Sequence, residues 1–152
     1  MIENSEYVAR AIFAPAMIDR AGNISVAAFS LRHNEGYFSV ARMSAEGWMD
    51  DIKKITDTPE RRLDGYCKMK VEEIRSQDIY VRQDKIILDV ADKATPTNKS
   101  HAGITINIKD KQLKGDKILI LKPLKPGAVA SMIMAKVQSR LTEIANRGYV
   151  KL

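Results

Sequence analysis

Five polar residues are of the types that move protons or hold phosphates: Arg32 and Glu35 at a turn, Ser39 and Arg42 on the segment that follows, and His101 far along the chain. Histidine exchanges a proton near neutral pH, a carboxylate can do so when its surroundings shift it, and guanidinium forks match phosphate oxygens. If the segments carrying Arg42 and His101 lie side by side, the five line one pocket suited to phosphate or nucleotide chemistry. His101 or Glu35 would then carry the proton and the arginines would stabilise charge. Arg42 also shares its alternation with Phe38 and Val40, so if buried it needs a carboxylate or phosphate partner.

No sharper signature is present. The chain has no Gly-rich phosphate loop, no GxSxG elbow, no HExxH and no GxGxxG. Its two histidines, His33 and His101, and its single cysteine, Cys67, cannot supply a His-rich or Cys-based metal site. No metal, no cofactor and no catalytic residue is therefore assigned, and Cys67 is expected to be a small buried apolar residue.

The net charge of +6 is concentrated late, with eight lysines against two aspartates over 93–125. A solvated lysine face explains this most simply; a nucleic-acid face through Lys109, Lys111, Lys114 and Lys117 is the sharper alternative. That alternative lacks accessible aromatics, because Tyr37, Tyr66 and Tyr80 fall in strand-like segments elsewhere. No apolar run approaches the roughly 18 residues of a spanning helix, and the N-terminus has no basic stretch before an apolar one. The expected compartment is the cytoplasm, with no membrane association.

The elements that would position these residues follow from periodicity. Residues 6–13 and 24–32 are strand-like, and the turn His33-Asn34-Glu35-Gly36 leads into a third strand over 37–43. Ser44 is the expected N-cap of a helix over 45–56, with Trp48, Ile52 and Ile55 on one stripe. Thr58-Pro59 has the chemistry of a second helix start. Residues 65–71 alternate as a fourth strand, EEIRSQD is a helical turn, and 79–90 is one interrupted strand or a hairpin around Gln83-Asp84. HAGITINI at 101–108 is the clearest half-buried strand, with Ile104, Ile106 and Ile108 on one face. KILILK is another strand or an extended segment. Residues 127–146 are a long amphipathic helix capped by Arg147-Gly148. The expected architecture is α+β in one globular domain over 1–152: a curved antiparallel sheet, a helix after the third strand, and a long C-terminal helix packed on one face.

The order of short motifs, AF at 28–29, EGYFSV at 35–40, GY at 65–66, HA at 101–102 and RGY at 147–149, resembles a diffuse family of small bacterial proteins to which no activity is assigned. The resemblance covers most of the chain, and the lysine-rich stretch after the HA strand departs from it. It implies no cofactor or activity, but it draws attention to Ser39 and His101.

Three functions remain in view. With no complete catalytic signature, the leading expectation is a cytoplasmic, non-catalytic binding or accessory protein whose partner is another protein. The alternative is a small enzyme or nucleotide- or phosphate-binding protein using Arg32, Glu35, Ser39, Arg42 and His101. Convergence of those side chains in a concave pocket discriminates the two, because an interaction module has no need to point them inward. Nucleic-acid binding through the lysines is third. An unpaired strand edge would also allow a homo-oligomer.

Overall fold

The computed structural model describes residues 1–31, 35–55, 61–108, 111–114, 117–119 and 126–152, with backbone alone over 111–114, 117–119 and 126–128. Strand β1 (Tyr7–Ala14) buries Val8 and Ile12 on one face and Ala9 and Phe13 on the other. A strand buried on both faces reads as continuously apolar, as VARAIFA does. The chain then turns back through Pro15–Asn23. It forms a 3-10 helix at Val26–Phe29, where a strand over 24–32 was expected. Its mixed periodicity has a simple cause: the turn buries two consecutive residues, Ala28 and Phe29, which an alternating strand would send to opposite faces.

Strand β2 (Tyr37–Arg42) and helix α1 (Trp48–Lys53) follow in the expected order. The helix is shorter than the apolar stripe suggested. Gly47 is its N-cap at φ +80°, while the Ser44 hydroxyl that should have capped it donates instead to Glu6 Oε1 at 2.7 Å. Strand β3 (Arg62–Lys70) runs directly into the short helix α2 (Val71–Arg75). A hairpin of β4 (Ile79–Val81) and β5 (Asp84–Asp92) resolves the ambiguous 79–90 segment, with Arg82 at φ 57° in its turn. Strand β6 (His101–Ile108), the hairpin β7 (Lys111–Lys114) and β8 (Lys117–Leu119), helix α3 (Pro126–Arg147) and strand β9 (Tyr149–Lys151) complete the chain. The Thr58-Pro59 segment, Arg32, His33 and Lys109 lie outside the described residues, as do the side chains of Lys111, Lys114 and Lys117.

Seven strands form a curved path in the order β4-β5-β6-β2-β1-β3-β9, and the β7–β8 hairpin continues from the far end of β6. Every pairing among the described strands is antiparallel. Alternation then assigns the faces. Val8, Ile12, Phe38, Val40, Cys67, Met69, Leu88, Ile104 and Ile106 make the main core with Ile133, Val137, Leu141 and Ile144 of α3. Each buried aliphatic side chain of this kind contributes about 1.5–3 kcal/mol of transfer free energy, so α3 is held by its whole inner stripe. Cys67 is buried there, and desolvation pushes its thiol up to about 12. On the opposite face α1 covers a much smaller cluster of Ala9, Ala41 and Ile52, with Trp48 edge-on to Tyr66 at 5.2 Å. That face is left partly open. Among the described residues, no helix is long and apolar enough to cross a membrane.

Candidate functional site

The sheet splits between its two central strands. Residues of β1 and β2 pair only at Val8 with Arg42 and at Ala9 with Ala41. Beyond them β1 stays with β3, down to Ala14 with Arg62, and β2 stays with β6, out to Tyr37 with Thr105. Arg10 bridges the gap. Its Nε donates to the Ala28 carbonyl and its Nη1 to the Ser39 carbonyl, both at 2.7 Å, so a side chain replaces the missing ladder bonds between 3-10 helix, β1 and β2. Its guanidinium lies 5.2 Å from the Phe29 ring centroid and 5.5 Å from that of Phe38. Burial draws the Arg10 pKa below its ordinary value, and the Cys67 thiol and the Glu35 carboxylate act the other way.

A cleft of about 760 Å³ opens on the α1 face along this split. Drug-sized ligand pockets have volumes of roughly 300–1,000 Å³. Its closed base, where the strands are still paired, carries His101, Ser100, Asn98 and Asp51; its mouth carries Phe13, Met17, Ile55 and Arg61, with Tyr37 and Glu35 on the β2 side. Register explains the convergence. His101 lies opposite Ala41, and Gly103 opposite Ser39, so His101 and Ser39 project from neighbouring strands on one face. His101 Nε2 lies 3.4 Å from Ser39 Oγ. The Tyr37 ring sits beside the imidazole at 5.9 Å between centroids and takes the Lys93 ammonium over its face at 4.9 Å. Gly103 makes room for it: a Cβ there would come 2.7 Å from Tyr37 Cγ.

The base is a fixed polar floor. Fully buried Ser100 donates its hydroxyl to Asp51 Oδ2 at 2.7 Å, joining β6 to α1. Asn98 closes the Thr95–Asn98 turn, donating its backbone N–H to Thr95 Oγ1 and accepting the His101 N–H at its carbonyl. Its side-chain Oδ1 is buried and has no hydrogen-bond partner among the described residues. A buried acceptor left this way costs about 1–3 kcal/mol.

Of the five residues singled out in the sequence, Glu35, Ser39 and His101 line this cleft. Arg42 does not. It shares the core-side face of β2 with Phe38 and Val40, one residue out of phase with Ser39 and Ala41. There it forms a bidentate pair with Glu6, both bonds 3.1 Å, and a 3.6 Å contact with Asp92. Burial pushes the Glu6 carboxyl up, but bonds from the Glu3 N–H, the Ser44 hydroxyl and the Arg42 guanidinium outweigh it and hold it below its ordinary 4.5. The partner that Arg42 required is thus a carboxylate of its own chain.

Sequence reasoning missed Arg10, Arg61, Asp51, Ser100 and Asn98. Arg61 stacks its guanidinium on the Phe13 ring at 4.2 Å and forms no ion pair among the described residues. Among those residues no group of three His, Cys, Asp or Glu side chains is placed to hold a metal ion.

The leading expectation from the sequence, a non-catalytic binding or accessory protein, is overturned by this geometry. An interaction module has no need to point such side chains into one concave site. Glu35, Ser39 and His101 nevertheless converge on it, joined by Arg10, Asp51 and Ser100 through hydrogen bonds to each other and to the backbone. No family model, no curated protein and no solved structure matches the chain.

Proposed function

We propose that the cleft is a small-molecule site for a phosphorylated ligand of nucleotide size, and that His101 exchanges a proton with it. The observation that carries this reading is the split between β1 and β2, which sets a half-buried histidine, a serine hydroxyl and two arginines around one cavity. A sheet gains nothing by giving up ladder bonds in its middle, where two central strands could have paired along their length. Holding the gap open with a desolvated guanidinium makes sense as the construction of a site.

The chemical roles follow from position. His101 Nε2 and Ser39 Oγ are close enough to tighten into a proton-passing pair when a ligand excludes water, since such contacts are often loose in an empty site. Asp51 is held by the Ser100 hydroxyl, which fixes it as a negative wall of the base. Phe13, Tyr37, Ile52 and Ile55 give the cavity apolar sides suited to a planar ring.

The test is a panel of nucleotides and sugar phosphates at millimolar concentration, followed by backbone amide chemical shifts. Shifts at Ser39, Asn98 and His101 with a phosphorylated compound, weakened several-fold in His101→Gln, support the reading. Absence of binding across the panel removes it.

A further inference from the structure

The cleft holds cations at different depths, and they are not equivalent. Arg10 is committed to the Ala28 and Ser39 carbonyls and has the Glu35 carboxylate acting on it. Arg61 at the mouth stacks on Phe13, and among the described residues no carboxylate lies against it. A stacked guanidinium keeps its edge N–H groups available in the plane of the fork, the geometry that binds a phosphate through two bonds. His101 and Asn98 lie at the other end. Ala9 of β1 is level with Ala41 and so with His101, while Arg61 reaches Phe13, four residues further along β1. At the rise of an extended strand this separates the two ends by roughly 13 Å along the strand direction, and the sideways step from β1 across β2 to β6, two spacings of about 4.8 Å, lengthens the span further.

Resting on the phosphorylated-ligand reading above, we infer that Arg61 anchors the phosphate at the mouth and that the phosphate is a handle, not the group acted upon. The opposite end of the ligand meets His101 and Ser39, whose imidazole and hydroxyl exchange hydrogen bonds with a polar group there. The ligand class is therefore a nucleoside monophosphate or an equally long phosphorylated compound with a hydrogen-bonding group at its far end. A span of this length excludes inorganic phosphate as a sufficient ligand.

The experiment compares AMP, adenosine, ribose 5-phosphate and inorganic phosphate on the full chain, by calorimetry and amide shifts, in wild type, Arg61→Gln, Arg61→Lys and His101→Gln. Thermal melts confirm folding of each variant. The expected result is that Arg61→Gln weakens AMP about 10- to 100-fold, the range of a charge-assisted bidentate contact, and leaves adenosine unchanged. Arg61→Lys gives an intermediate loss, and His101→Gln weakens AMP and adenosine alike. If AMP or ribose 5-phosphate binds but Arg61→Gln leaves AMP affinity within about twofold, a change below the scale of one hydrogen bond, the anchor inference alone falls. If inorganic phosphate binds as well as AMP, the handle falls. If none of the phosphorylated probes binds, the parent reading falls with it.

Discussion

Replacing Arg10 by methionine removes the side chain that spans the split. Methionine keeps the packing of the stem against Phe29 and Phe38 but loses both hydrogen bonds. A bond from a charged donor is worth about 1.5–3 kcal/mol when its acceptor stays buried. The Ala28 carbonyl, partly buried, takes most of that loss; the Ser39 bond is exposed, so water replaces it at a cost of roughly 1 kcal/mol after screening. Lost cation–π contacts add about 0.5–1 kcal/mol, and relief from burying a charge offsets part of the total. The expected net loss is about 2–3 kcal/mol. For a chain of this length that is a melting temperature lower by about 4–12 °C. Urea unfolding measures the free energy, and amide hydrogen exchange locates it: protection should drop first at Ser39–Ala41 and across Val26–Phe29. Arg10→Lys, with a point charge that reaches one carbonyl at a time, should recover about half of the loss. A methionine variant within about 0.5 kcal/mol of wild type, the scatter of an ordinary surface substitution, would refute the bridging role, as would exchange changes confined to α3.

Two further outcomes follow from the same geometry. Glu6 has a folded pKa below its ordinary 4.5, so its contribution to stability is fully present above about pH 4.5 and is lost as pH falls through the lower folded value; urea titrations from pH 3 to 7 should show a shallower acid slope in Glu6→Gln than in wild type, and equal slopes would contradict the assignment. Gly103→Ala pushes a methyl group into the Tyr37 ring. It should cost about 1–3 kcal/mol as overpacking and shift the His101 ring resonances, because Tyr37 is the ring beside them; unaltered His101 resonances would mean that Tyr37 does not position the imidazole.

Much of the fold was legible because one physical signal, alternation against a core, is strong where strands are regular. HAGITINI announced β6 through its three isoleucines, and all three are buried on the α3 face. The 3-10 helix was not legible. Ile24 to Leu31 has the composition of a strand, and what decides its conformation is Arg10 of another element, which takes the Ala28 carbonyl out of any ladder. The shortened α1 has a similar cause: Ser44 is a good N-cap by type, yet Glu6, remote in sequence, takes its hydroxyl. Local chemistry proposes in both cases, and a tertiary partner decides.

The site was half legible, and the half that failed turns on a single residue of phase. Ser39 and Arg42 looked like neighbours in one cluster, but on a strand an offset of three residues sends side chains to opposite faces, so only Ser39 could join His101. The argument that made Arg42 notable, a cation in core phase needing a buried partner, applied with more force to Arg10. Arg10 stands between Val8 and Ile12 on the core face of a strand otherwise apolar from Tyr7 to Ala14, and the acid in phase with it, Glu6, is already held by Arg42. Its hydrogen bonds go to backbone carbonyls instead, and that of Ser39, in the middle of the sheet, is available because β1 and β2 have parted there. A core-phase arginine whose bonds go to backbone carbonyls, as those of Arg42 do not, thus marks the split in this sheet, where Glu35, Ser39, Arg61 and His101 gather.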